Sequence, residues 1–184
     1  QFPKIYKDDD ASLEFLENMK VGIIGFGNQA RAQALNLRDS SIDVSIGLRH
    51  HTSRNSLETG SQKDALEEGF HIASIEETVH SSDIISLLIP DQVMGVVYAE
   101  KIAPHLREAQ TLLFSHGYNI HYALVQPPEN INVVMSAPSG AGTELRKRYL
   151  DGRGIPGLFA VHQDISSHAE EIALAYSKAI GLTK

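Results

Sequence analysis

The stretch Lys20-Val21-Gly22-Ile23-Ile24-Gly25-Phe26-Gly27-Asn28-Gln29-Ala30 decides the fold. Its first half is a short, nearly unbroken apolar run. Strands read that way when both faces are buried, as in a parallel sheet covered by helices. Its second half places Gly25, Gly27 and Ala30 at the spacing Gly-x-Gly-x-x-Ala. Between a strand and a helix that spacing has a mechanical meaning. Gly25 permits a tight turn, and Gly27 lets the backbone approach a pyrophosphate. Ala30 is small enough for close helix–strand packing. The helix that opens here directs free N–H groups and its positive dipole end at the phosphates. Gly25, Phe26, Gly27, Asn28 and Gln29 are therefore expected to hold a dinucleotide.

Outward from this turn, β-branched runs alternate with helical patterns. Helices are expected at 28–39, 56–69 (weakened by Gly60), 74–80, 91–109 with a break near Pro104, and 144–149. Strands are expected at 43–48, 71–73, 83–89, 111–115, 132–137 and 157–161. The last helix, 166–180, is the most amphipathic, with Ile172, Ala173, Ala175, Tyr176 and Ile180 on its apolar face. This alternation predicts an α/β fold: a doubly wound, mostly parallel sheet with helices on both faces. Ligands of such sheets bind at the carboxyl ends of the strands. The loops at 25–29, 49–56, 90–93, 115–118 and 138–142 are expected to line one crevice.

With 184 residues, one domain over 1–184 is expected. There is no cysteine, which excludes disulfides, thiolate metal sites and a cysteine nucleophile. Sixteen Lys and Arg against 23 Asp and Glu give a net charge of −7 with no basic block, and that excludes a general nucleic-acid binder. The apolar runs are of strand length, and the N-terminus carries Lys4, Lys7 and Asp8-Asp9-Asp10 without an apolar stretch behind them. No membrane segment and no signal peptide are expected, and the location is expected to be cytoplasmic.

Three further segments carry chemistry. The second strand ends Gly47-Leu48-Arg49, followed by His50-His51-Thr52-Ser53-Arg54, with no carboxylate before Glu58. Sites for NAD place an acidic residue here for the ribose 2′-hydroxyl. Arg49 and Arg54 instead offer bidentate partners to a phosphate, with Thr52 and Ser53 as hydroxyl donors. NADP(H) is the expected nucleotide, and His50-His51 lacks a nearby acidic partner for a metal. In Ser115-His116-Gly117-Tyr118-Asn119, His116 follows a strand end, where a substrate meets a nicotinamide. It is a candidate acid, base or orienting donor. The glycine-rich loop Ala137-Pro138-Ser139-Gly140-Ala141-Gly142 follows another strand. Its backbone is free to approach the cofactor.

Several segments, in order, resemble ketol-acid reductoisomerase (acetohydroxyacid isomeroreductase). They are the 25–30 turn with Gln33-Ala34-Leu35-Asn36-Leu37-Arg38-Asp39-Ser40, then Gly47-Leu48-Arg49, Leu87-Leu88-Ile89-Pro90-Asp91 and Ser115-His116-Gly117-Tyr118-Asn119-Ile120-His121. Tyr149-Leu150-Asp151-Gly152-Arg153-Gly154-Ile155-Pro156, Ala160-Val161-His162-Gln163-Asp164 and Ile172-Ala173-Leu174-Ala175-Tyr176 with Ile180-Gly181 follow. The resemblance covers nearly the whole chain and implies the family's N-terminal, Rossmann-type NADP-binding domain. The family moves an alkyl group within 2-acetolactate or 2-aceto-2-hydroxybutyrate, then reduces the product with NADPH, on the route to branched-chain amino acids. Two magnesium ions polarise the substrate oxygens. The resemblance implies that Phe26 to Gln29, Arg49, the hydroxyls after it, Asp91, Gln92, Val93, Met94 and Gly142 hold the cofactor. It makes His116 the active-site histidine.

Departures from the family are visible too. Ser139 stands where the family's Pro-Lys-Gly-x-Gly loop carries lysine, and Met94 replaces a polar residue. The family's magnesium carboxylates lie in a helical, knotted C-terminal domain, and the sequence ends at Lys184, about where that domain begins. The expectation is a chain not competent alone, with magnesium bound only if another chain supplies that domain. Its partner would be that chain or a second copy in a homodimer. The alternatives are a non-catalytic NADP(H)-binding regulatory or sensor module and a small dehydrogenase of another kind. A domain that docks a helical partner should expose an apolar patch near the last helix or at 94–98.

Overall fold

The apolar runs become the strands of one seven-stranded sheet: β1 (Lys20–Ile24), β2 (Asp43–Leu48), β3 (His71–Ser74), β4 (Ile84–Leu87), β5 (Thr111–Phe114), β6 (Asn132–Pro138) and β7 (Gly157–Gln163). The computed structural model describes residues 4–49 and 60–184. The strand order is β3-β2-β1-β4-β5-β6-β7. All described pairings are parallel except β6 with β7, which is antiparallel. The order reverses between β1 and β4, and there the carboxyl ends open a crevice in doubly wound sheets. The expected α/β architecture is the one observed.

The helices are α1 (Asn28–Asp39), α2 (Gly60–Glu67), α3 (Ile75–Ser81), α4 (Asp91–Val97), α5 (Tyr118–His121), α6 (Gly142–Leu150) and α7 (Ala169–Ile180). After α4 the chain continues as a π-turn, Tyr98–Ile102, and a 3-10 turn, Ala103–His105, that contains Pro104. That is the expected break, because proline has no N–H for the ladder. Part of the helix expected at 56–69 lies outside the described residues; its described portion is α2. The expected 144–149 helix begins earlier, at Gly142. The expected 166–180 helix begins later, at Ala169, whose N–H is taken by the Asp164 carboxylate at 3.3 Å.

Alternation along β1 splits the core into two layers. Val21 and Ile23 face α1 and α7 and pack with Ala30, Ala34, Leu37, Ile172, Ala173 and Tyr176. Ile24 faces the other way, with Ile85, Leu87, Leu112, Ile75, Val79 and Met94. Each large apolar side chain buried this way stabilises the fold by about 1.5–3 kcal/mol. Gly22 and Gly47 leave α3 room to lie close on the sheet. A Cβ on Gly47 would stand 2.7 Å from Ile24 Cδ1 and 3.0 Å from Thr78 Cβ. Ser74 starts α3 with a capping box: its hydroxyl accepts from Glu77 N–H at 3.1 Å while the Glu77 carboxylate takes the Ser74 N–H at 3.0 Å.

Two features of the fold have no local signal in the sequence. Residues 4–17 strap across α7: Lys178 Nζ donates to the carbonyls of Asp8 (2.7 Å) and Ala11 (2.9 Å), and the Tyr6 hydroxyl donates to Glu170 (2.7 Å). Also, β7 runs backwards at the sheet edge, with Leu158 and Val161 exposed. A short β-branched run carries no information on its own direction.

Candidate functional site

A crevice of about 370 Å³ lies at the carboxyl ends of β1, β2 and β4. Gly25, Phe26 and Gly27 line it after β1, Leu48 and Arg49 at the end of β2, and Ile89, Pro90 and Val93 after β4. Gly25 holds φ +101°, and a Cβ there would also lie 2.7 Å from the Leu88 carbonyl oxygen. Both facts demand glycine. Gly27 is the N-cap of α1, with no side-chain cap, and the place a Cβ would take is open space. The first-turn N–H groups of α1 therefore have no side chain competing for them. Ala30 is fully buried against the sheet.

These features fit a dinucleotide. The uncapped helix start presents donors and a positive dipole end to the phosphates. Open space at Gly27 gives a pyrophosphate close approach. Arg49 is exposed on the crevice wall, with no carboxylate beside it in sequence. Thr52, Ser53 and Arg54 lie outside the described residues.

Several candidates are placed differently from the expectation. The Phe26 side chain is largely buried, edge-on against Phe70 with ring centroids 5.7 Å apart. Met94 is 3% exposed and packs in the core below α4. Its apolar side chain, at the turn of α4 that faces the sheet, has nothing to gain from the crevice. Asp91 and Gln92 do not line the crevice; they border a shallow depression with Val96, Tyr118 and Leu124. Gly142 starts α6 and is buried against α1: a Cβ there would run into the Asn28 carbonyl group, 2.6 Å from its carbon. Its smallness serves helix contact.

The loops after β5 and β6 flank the crevice rather than lining it, since those strands lie beyond β4. They are tied to the dinucleotide turn all the same. Gln29 Nε2 donates to the Gly140 carbonyl at 2.7 Å, and Gln33 Nε2 donates to Ser115 Oγ at 3.1 Å. Next to Ser115, His116 is well exposed. Its Nδ1 accepts from the Tyr118 N–H at 3.2 Å and lies 3.6 Å from Asp91 Oδ2. Asp91 Oδ1 is held by Asn119 Nδ2 at 2.9 Å. Sequence reasoning passed over Gln33 and Asn119. The available signal was polarity where burial was expected: both are fully buried.

Apolar side chains Val93, Val96, Tyr118 and Leu124 are exposed around Asp91, whereas α7 is mostly buried. Within the expected 94–98 stretch only Val96 is exposed, while Met94 and Tyr98 are buried. Among the described residues, no three His, Asp or Glu side chains converge as a metal site, and no helix is long and apolar enough to cross a membrane.

The sheet order, the glycine turn and the uncapped helix define a dinucleotide-binding α/β domain of Rossmann type. Residues 15–184 match the model of the acetohydroxy acid isomeroreductase NADPH-binding domain, and the chain belongs to that family. It is 48% identical over 181 residues to the ketol-acid reductoisomerase (NADP(+)) of Pyrococcus abyssi, a match covering 98% of this chain and 52% of that protein. The corresponding protein of Methanopyrus kandleri is 48% identical over 182 residues, with 98% and 53% covered. Among solved structures, an NADH-preferring ketol-acid reductoisomerase from an uncultured archean superimposes with a TM-score of 0.94 at 39% identity, covering 99% of this chain and 54% of that one. The chain thus spans about half the length of the relatives it matches.

Proposed function

We propose that this chain binds NADP(H) in the β1–β2–β4 crevice and forms the nucleotide-binding half of a ketol-acid reductoisomerase acting on 2-acetolactate-type substrates. The observation that carries the reading is the pairing of an uncapped α1 start, open at Gly27, with Arg49 on the wall where NAD sites place an acid. When bound, NADPH supplies a hydride to the substrate carbonyl. The α1 N–H groups hold the pyrophosphate. Arg49, with Thr52, Ser53 and Arg54, would read the 2′-phosphate, and Val93 and Pro90 would exclude water from the crevice.

His116 is assigned to the substrate side. Tyr118 N–H donates to Nδ1, so the neutral ring carries its proton on Nε2. That atom is then the one to orient a substrate oxygen by donating a hydrogen bond. Asp91, fixed by Asn119, lies 3.6 Å from Nδ1 on the opposite side of the ring from that proton.

A second reading, a non-catalytic NADP(H)-binding regulatory module, is favoured by one observation. Ser139 occupies the family's lysine position, is exposed and brings no charge. The test is turnover. The purified 184-residue chain with magnesium, 2-acetolactate and NADPH is expected to bind NADPH, seen as enhanced nicotinamide fluorescence, without oxidising it. The Ser139→Lys variant is expected to behave the same way. Acetolactate-dependent loss of NADPH absorbance would show that these residues suffice for the reaction. Absence of any fluorescence change would remove the nucleotide-binding reading itself.

A further inference from the structure

We propose that Gln33 is a positioning residue whose side-chain amide fixes the dinucleotide turn and the His116 loop relative to each other. This rests on reading the crevice as an NADP(H) site and His116 as facing the substrate. Gln33 sits in the middle of α1, fully buried among apolar neighbours. A buried amide without partners is costly, and every polar group of this one is used. Oε1 accepts from the Tyr176 hydroxyl at 2.8 Å. Nε2 donates to Gln29 Oε1 at 3.2 Å and to Ser115 Oγ at 3.1 Å.

The orientation of the amide is settled by its partners. Full burial pushes the Tyr176 hydroxyl far above the ordinary phenol range, so it remains a neutral O–H donor. Ser115 spends its own hydroxyl proton on the Ser136 carbonyl at 2.9 Å and so meets Gln33 as an acceptor. A flipped amide would set Oε1 against two acceptors. Gln29 carries the tie onward, its Nε2 donating to the Gly140 carbonyl at 2.7 Å. One side chain anchored in the core therefore reaches two strand-end loops directly and a third through Gln29. Ser115 immediately precedes His116. An apolar residue would fill the same volume but would leave the distance between the phosphate turn and His116 unset.

The test compares two matched deletions on α1 in the full chain. Gln33→Met keeps side-chain length and removes the amide. Asn36→Leu removes another fully buried amide, which donates to the Ile180 carbonyl at 2.9 Å and touches none of these loops. The readouts are the His116 ring carbon–proton resonance in the ligand-free chain and the NADPH dissociation constant. Gln33→Met is expected to shift that resonance and weaken NADPH binding about tenfold, the equivalent of losing one to two hydrogen bonds. Asn36→Leu is expected to lower the melting temperature while leaving the resonance in place and the affinity within about twofold. Ser115→Ala, which cuts the tie at the loop and spares the core, should move the His116 resonance too, and it keeps the test alive if Gln33→Met does not fold.

An unmoved His116 resonance in Gln33→Met or Ser115→Ala overturns the proposal, as does an equal shift in Asn36→Leu. The ring resonance is read without nucleotide. A chain that failed to bind NADPH but showed the shift would refute the cofactor reading and leave the positioning role standing.

Discussion

Alanine at Gly142 is expected to cost much of the fold's stability, and alanine at Gly27 is expected to cost NADPH binding while sparing the fold. Both glycines belong to the region that sequence reasoning assigned to the cofactor, but the structure gives them different work. At Gly142 a Cβ would enter the Asn28 carbonyl group, which is backbone and has no rotamer to yield. Overpacking of this kind costs about 1–3 kcal/mol, and the upper end applies where two helix starts must separate. Gly142→Ala should therefore lower the denaturation midpoint by the equivalent of about 3 kcal/mol and, by displacing Asn28, weaken NADPH binding as well. At Gly27 the same methyl meets open space. Alanine is a poorer N-cap than glycine, but the loss is below about 1 kcal/mol. The methyl would occupy the room a pyrophosphate needs, and NADPH binding should fall by at least about tenfold. Chemical denaturation and a nucleotide titration on each variant check this. Equal stability losses at both positions would contradict the assignment.

Arg49→Ala is expected to discriminate between the two nicotinamide nucleotides. Hydrogen bonds to a charged group contribute about 1.5–3 kcal/mol each, so the variant should lose roughly 10- to 150-fold in NADPH affinity. NADH lacks the 2′-phosphate, and its affinity should change by less than about twofold. The wild-type preference should also shrink with added salt, because Arg49 is exposed and its attraction is screened. Parallel losses for both nucleotides would mean that Arg49 supports the loop and does not read the phosphate. The experiment has added weight because a relative with the same fold is described as NADH-preferring. The sheet alone does not choose the nucleotide.

The dinucleotide turn was legible because its signal is local. Two glycines and an alanine at fixed spacing, between an apolar run and a helix, leave little freedom. The parallel order followed from strands such as Ile84–Leu87 that are apolar on both faces and buried throughout. Gly142 is assigned to the cofactor by the family resemblance, and in the structure it also meets α1, since a glycine-rich loop after a strand looks alike whether it meets a ligand or a helix. Only the docking of α6 on α1 separates those cases. Met94 was carried over from the family pattern, and its own apolarity was the better guide to its place in the core. Gln33 was passed over as an ordinary helix residue. Its position on the buried face, between Ala30 and Leu37, was the sign that it must have partners. The direction of β7 and the N-terminal strap depend on long-range contacts that no local pattern encodes.

Calorimetric titration of the unmodified chain with NADPH and then, separately, with NADH tests the central claim most directly. The account predicts NADPH binding at micromolar strength, with NADH weaker by at least about tenfold, the share owed to the 2′-phosphate. Equal affinity for the two would contradict the role given to Arg49. Binding of neither would leave the glycine turn as architecture alone and contradict the account as a whole.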